Sequence, residues 1–309
     1  MDKKAGRLGA PEEIGELVSY LANMKGSFHT GTIIKFTGEL KKDINIMKLI
    51  SIDSEKCKKD GICIEECPFN ILVENADGIP EMAPGADAVC MKCGHCLAVC
   101  PAGAVTLEGV SPESCEAARK YPIVDESTME ALLKNRRSVR VYKNRPVPRE
   151  AIDHLMEMVR WAPTAKNLQP VHWRLVDDRE KIREMARLTI EWFRADGMFP
   201  EIVNAWEAGE DMILRDAPLL AVAHTPTNGL NPPADCAIAA TSLEIAATAY
   251  GIGGCWAGFF MRAANNYGPM ADYLNLPEGH AVYAALMLGY PKFKYHRIPR
   301  RHEGNVSWM

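Results

Sequence analysis

At 309 residues the chain has room for about two domains and a sizeable core. Its 47% apolar and 25% charged residues are an ordinary globular balance that excludes disordered and fibrous classes. A net charge of -4 gives no basic footprint for DNA or RNA, so no nucleic-acid partner is expected. Ten cysteines, with no charged and then apolar leader stretch ahead of them, point to a cytoplasmic setting in which thiols serve metal or redox chemistry rather than disulfides.

Residues 1–46 contain GRLGAPEEIGELVSYLANMKG, which predicts a proline-initiated amphipathic helix with Ile14, Leu17, Val18 and Leu21 at helical spacing, then a short strand. The run resembles the C-terminal tail of short-chain dehydrogenases. Neither the catalytic Tyr-x-x-x-Lys nor the glycine-rich dinucleotide turn of that family occurs in it. The expectation is a fusion remnant or docking element without dehydrogenase activity, ahead of a candidate original start at Met47.

Seven of the cysteines lie between Cys57 and Cys100. CMKCGHCLAVCP, Cys90 to Pro101, has complete iron-sulfur spacing: three thiolates on a tight loop wrap one face of a cubane, and a fourth cysteine before proline stands apart. CKKDGICIEECP, Cys57 to Pro68, repeats the pattern with Asp60 where the second cysteine belongs. Zinc needs only four ligands, so two parallel runs argue against it. Residues 47–110 resemble the bacterial two-cluster ferredoxins. The resemblance implies crossed ligation, with Cys90, Cys93, Cys96 and Cys67 holding one 4Fe-4S cluster, and Cys57, Cys63 and Cys100 with Asp60 holding the other. At Asp60 two outcomes stay open: a carboxylate ligating a fourth iron (4Fe-4S), or a solvated aspartate beside a three-iron cluster (3Fe-4S). Cys115 reads as an ordinary thiol. Residues 47–126 carry 14 Asp+Glu against 7 Lys+Arg, an acidic surface suited to a basic redox partner.

A linker is expected over 111–126 and a larger unit over 127–309. Ser127 and Glu130 have the spacing of a capping box opening the helix TMEALLKNRR. A second helix is predicted from about Arg149 to Trp161, with Ile152, Leu155, Met156 and Val159 on one face. Apolar runs at 171–176, 218–223 and 281–288 read as strands. The stretch 237–260 reaches membrane-span length but carries Glu244 and several glycines, so a buried helix followed by a glycine loop is expected instead of a span. Strands separated by helices give an α+β class. His172 and His224, inside apolar runs, read as core histidines.

Three patches in this unit carry binding chemistry. RRSVR, Arg136 to Arg140, offers guanidinium groups for a phosphate and a hydroxyl; APTAKNLQP, Ala162 to Pro170, sets Asn167 and Gln169 on a proline-bounded loop; GIGGCWAGF, Gly251 to Phe259, exposes backbone through glycine. In this order the three patches resemble the nitroreductase family of FMN enzymes, over most of residues 125–309. The resemblance implies a mainly antiparallel mixed sheet flanked by helices, and a homodimer with FMN at the subunit interface. It gives Arg136, Arg137 and Ser138 to the phosphate and ribityl chain, and Arg140 to the pyrimidine edge of the ring. Pro163, Thr164, Ala165, Asn167 and Gln169 join the site, with Thr164, Ala165 and Asn167 supplied by the partner subunit. Cys255, Trp256, Ala257 and Gly258 flank the ring system, where a backbone N–H addresses its reactive nitrogen. Arg297 and Arg300, in YHRIPRR, match a phosphate-binding segment. Ala165 and Ala257 depart from the polar or acidic residues of some members, which leaves substrate contacts open, and no side chain is named as a catalytic acid.

The expected function is an FMN-dependent oxidoreductase that passes electrons from an external donor such as ferredoxin, through the clusters and FMN, to a small organic acceptor: a nitroaromatic, quinone, activated alkene or halogenated aromatic. Two alternatives stand beside it. In one, NAD(P)H feeds the flavin and the clusters are an electron exit; in the other, the protein is a redox sensor or carrier without turnover.

Overall fold

The computed structural model describes residues 48–121 and 123–309; the helix and strand expected within 1–46 lie outside them. In the cysteine-rich part, β1 (Ile50–Ile52) and β4 (Val105–Leu107) pair antiparallel. Between them, β2 (Leu72–Glu74) and β3 (Pro80–Met82) form a hairpin. Each cysteine run makes a tight loop and then a short helix, α1 (Ile62–Glu65) and α2 (His95–Val99). Gly61 and Gly94 precede these helices at φ 72° and 76°, a left-handed turn that a side chain would strain. The core here is small, with Ile50, Ile71, Leu72, Val105 and Leu107 packed around Cys63 and Cys96.

The larger part opens with α3 (Glu126–Asn135). Its cap is Asp125 and not the expected Ser127: the Asp125 carboxylate accepts from Thr128 N at 2.9 Å and from the Ser127 and Thr128 hydroxyls, both at 2.6 Å. A carboxylate accepts several bonds at the positive end of a helix, so it outcompetes the hydroxyl. The helix stops at Asn135, which leaves the Arg136–Arg140 patch outside it and extended. The predicted second helix is α4 (Arg149–Val159), with Ile152, Leu155 and Val159 buried.

Then follow β5 (His172–Val176), α5 (Arg179–Ala195), α6 (Pro200–Glu207), β6 (Leu219–Pro226), α7 (Pro232–Ala247), β7 (Gly253–Trp256), α8 (Gly258–Asn266), α9 (Gly268–Leu274) and β8 (His280–Gly289). The four strands form one sheet in the order β5-β6-β8-β7, antiparallel throughout. Side chains alternate across it. Leu220, Val222, Ala285 and Met287 face a layer built from α5, α6, α8 and α9, whereas Leu219, Ala221, Ala284, Leu286 and Leu288 face α4 and α7. With both faces covered, β6 and β8 read in sequence as unbroken apolar runs. This is an α+β architecture. Among the described residues no helix is long and apolar enough to cross a membrane.

The expected glycine loop after α7 is in part the edge strand β7. Glycine is needed there because Val139 lies against it: a Cβ on Gly253 would stand 2.3 Å from Val139 Cγ2. Val139 N donates to Gly254 O at 2.8 Å, and the Tyr142 hydroxyl donates to Val139 O at 2.6 Å. These contacts dock the Arg136–Arg140 segment along the sheet edge.

His172 lies opposite His224 in the β5–β6 register, and His280 joins them from β8, with His224 Nδ1 and His280 Nδ1 2.9 Å apart. His224 is buried and His172 exposed. Burial, with His280, His172 and Arg174 facing it, pushes His224 down to about 4. The folded state therefore refuses a proton that the unfolded chain accepts below its ordinary value of 6.5. The associated stability is present above that value and lost as pH falls toward 4. Melting temperature measured from about pH 7 to about pH 5 is expected to fall less steeply in His224→Gln, whose amide keeps the His280 bond but does not titrate.

Candidate functional site

Two sites emerge, one of sulfur and one of guanidinium. Cys67, Cys90, Cys93 and Cys96 line a single pocket together with Ile50, Phe69, Leu72 and Leu107. Cys67 comes from the first run and the other three from the second, the crossed grouping that the ferredoxin resemblance implies. Burial raises Cys90, and raises Cys96 to about 11, so these are thiols unless a cation draws the proton off. Four thiols lining one pocket are a donor set that fits an iron-sulfur cluster.

The other group repeats this geometry. Lys59 N lies 3.4 Å from Cys57 Sγ and Lys92 N 3.4 Å from Cys90 Sγ, two halves folded alike. Cys63 is raised by burial first and next by Cys100, with Asp60 and Cys57 adding to the rise. Asp60 is exposed and accepts a bond from Ile62 N at 3.3 Å, a long contact within its own loop. Cys115 is exposed, outside both groups.

In the larger part, Arg136, Arg137, Ser138, Arg140, Tyr295 and Arg301 line an open cleft. Guanidinium groups stay charged at any ordinary pH. Among the described residues, only Arg136 of the four has a carboxylate partner: its Nη1 lies 2.7 Å from Glu244 Oε1, which is 6% exposed. Arg137 donates to Arg136 O at 2.9 Å. The cleft thus holds a net positive charge able to grip a dianion such as phosphate. Arg297 and Arg300 are exposed on the same C-terminal segment but do not line it; Arg301 does.

Cys255 and Trp256 end β7 beside this cleft. Burial raises the Cys255 thiol and the adjoining Arg140 partly offsets the rise, so it remains a protonated core thiol. Ala257 spends its N–H on Ala285 O at 2.9 Å. Gly258 opens α8, whose first-turn N–H groups have no partners inside the helix, and a Cβ there would meet open space.

The loop Pro163–Gln169 lies apart from the arginines. Lys166, Asn167 and Gln169 all have positive φ, near 50°, a costly conformation for residues other than glycine. Two anchors hold it: Thr164 Oγ1 accepts from Gln169 N at 2.9 Å, and Asp235, 3% exposed, accepts from Ala165 N at 2.8 Å. Asp235 and Glu244 stand at opposite edges of the buried face of α7, about two and a half turns and 14 Å apart along its axis. One chain thus brings the 136–140 and 255–258 patches together and holds the 163–169 patch elsewhere. Both acids were missed in the sequence as site residues. The available signal was that they are the only charged residues in a helix otherwise of apolar and small residues.

Comparison with known proteins bears on this arrangement. Residues 133–290 match the nitroreductase family. The chain belongs to the nitroreductase family. Residues 49–101 match the 4Fe-4S dicluster domain. A protein of Archaeoglobus fulgidus, provisionally named NADH dehydrogenase/NAD(P)H nitroreductase, is 32% identical over 167 residues, which are 53% of this chain and 87% of the relative. A protein of the same provisional name from Methanothermobacter thermautotrophicus is 28% identical over 163 residues, 52% of this chain and 75% of the relative. Among solved structures, an FMN-bound nitroreductase of Bacteroides fragilis superposes with a TM-score of 0.51 at 23% identity, over 60% of this chain and 100% of that one. One from Desulfitobacterium hafniense gives 0.51 at 21%, again over 60% and 100%. This nitroreductase-family chain therefore shares their fold.

Arg136→Ala strands the buried Glu244 carboxylate and is expected to cost about 3 to 5 kcal/mol. Adding Glu244→Gln should recover most of that loss, a non-additivity readable by urea denaturation of the single and double variants.

Proposed function

We propose that this protein is an FMN-dependent oxidoreductase in which an external one-electron donor loads two iron-sulfur clusters, the clusters reduce FMN, and FMN reduces a small organic acceptor. The observation that carries the reading is the conjunction, in one chain, of a thiol-lined cavity with a cationic cleft beside backbone opened by glycine. Clusters supply electrons singly, and a flavin collects them and delivers a pair.

In this reading the chain's own residues bind and orient. Arg136, Arg137, Ser138 and Arg301 hold the phosphate and ribityl chain, Arg140 stands at the pyrimidine edge of the ring, and Cys255–Gly258 form the wall along the ring system. The loop Pro163–Gln169 comes from a second copy, because within one chain it lies at the other edge of α7; the site is completed in a homodimer. Cys67, Cys90, Cys93 and Cys96 ligate one 4Fe-4S cluster. Cys57, Cys63 and Cys100 hold the second, which is 4Fe-4S with Asp60 as ligand or 3Fe-4S with that corner open. The acceptor belongs to the nitroaromatics, quinones, activated alkenes or halogenated aromatics, and the setting is cytoplasmic. A second reading, favoured by the NAD(P)H in the names of two relatives, sends hydride from nicotinamide to the flavin and electrons out through the clusters.

Anaerobically purified protein is expected to carry one FMN per chain, with about eight irons if Asp60 ligates or water fills that corner, and about seven if the corner is open. In the seven-iron case Asp60→Cys raises the count to eight; unchanged iron and an unchanged electron-paramagnetic spectrum would remove Asp60 from the cluster. Stopped-flow reduction then decides direction: rapid flavin bleaching by a reduced ferredoxin supports the first reading, and bleaching by NADH or NADPH alone supports the second.

A further inference from the structure

Among the described residues, one hydrogen bond joins residues 48–110 to residues 123–309. Asn167 Nδ2 donates to Lys92 O at 3.1 Å. Lys92 sits between Cys90 and Cys93 and itself lines their cavity. The seam therefore brings the complete four-thiol site, not the Asp60 site, against the larger part. It meets that part at the 163–169 loop, not at the arginine cleft. Nor is the receiving loop slack: Asn167 Oδ1 accepts in turn from Gln169 Nε2 at 3.3 Å, and the buried Asp235 clamps Ala165. Three strained residues held by a buried carboxylate form a fixed platform, with Asn167 at its tip.

We propose that electron delivery crosses the subunit boundary: the Cys67/Cys90/Cys93/Cys96 cluster of one subunit is the immediate donor to the flavin held by Arg136, Arg137 and Arg140 of the partner subunit, and the Asp60 site is the outer, entry cluster. The inference rests on the FMN homodimer reading above. If a flavin needs the arginine cleft of one copy and the 163–169 loop of the other, a cluster docked on its own loop faces the flavin that the other copy grips. Each transfer oxidises the near cluster by one electron, which the outer cluster replaces from an external ferredoxin-class donor. Two transfers and one solvent proton give the monoanionic reduced flavin. The altered ligand set at Asp60 then lies where a protein donor has access, on the acidic part of the surface.

Heterodimers with distinguishable tags separate the two wirings. The cluster lesion is Cys93→Ser, repeated with Cys67→Ser. The flavin lesion is Arg137→Glu with Arg140→Glu, which makes the arginine cleft repulsive to an anionic cofactor and spares the structural Arg136–Glu244 pair. Iron, flavin and mass are measured on each dimer, and flavin bleaching by catalytic reduced ferredoxin is followed by stopped flow, with the Cys93→Ser homodimer as the unwired control. When the two lesions sit on different subunits, the single bound flavin is expected to bleach at a rate close to wild type. When both sit on the same subunit, the single flavin is expected to bleach no faster than in the control. The reverse pattern, or equal rates in the two heterodimers, overturns the crossed wiring while leaving the flavoenzyme reading intact. A wild-type protein without flavin would instead sink that reading itself.

Discussion

Two buried carboxylates on one helix set the geometry on which the larger part depends. An ionised acid taken out of water is tolerated only when paired and hydrogen-bonded. Glu244 meets this demand with the Arg136 guanidinium and Asp235 with the Ala165 amide. Neither partner belongs to the hydrophobic core, and each lies on an irregular segment with few apolar anchors of its own. The helix α7, fixed between α4 and the sheet, thus serves as a ruler that holds the cationic cleft and the strained loop at a set separation. Local unfolding of either segment would leave a buried acid without its partner, which holds both segments in place.

The cysteine-rich part is built on a different principle. Its apolar core is a handful of side chains, too small to fix the loops by burial alone. Thiols inside it are raised by desolvation and proximity, so binding of iron, which requires thiolates, is coupled to folding of the loops that present them. The left-handed glycines at Gly61 and Gly94 turn each loop back upon itself. The interleaving of Cys67 with the second run ties two local motifs into one body.

The two parts touch through a slender contact at Asn167 and Lys92. A small seam lets each part keep its own folding logic while bringing the sulfur cavity to the rim of the loop platform. The negative balance of residues 47–126 and the even balance beyond them give the two parts different surface electrostatics.

The sequence alone determined the chemistry that spacing encodes. Both cysteine runs, the aspartate substitution, the arginine patch and the apolar strands were legible because ligand spacing and side-chain periodicity are local properties of the chain. Helix starts were legible only to within a residue or two: Asp125 displaced Ser127 as the cap because a carboxylate satisfies more donors at once. Strand β7 was hidden, since Gly253 and Gly254 have no strand propensity and are there because Val139 leaves no room for a side chain. Only the tertiary structure revealed Asp235 and Glu244 as anchors, put Arg301 in the cleft, and showed which cluster site meets which loop. Those facts depend on long-range pairings, such as Ala165 with Asp235, 70 positions apart, and Arg136 with Glu244, 108 apart, and long-range pairing leaves no periodic trace in a sequence.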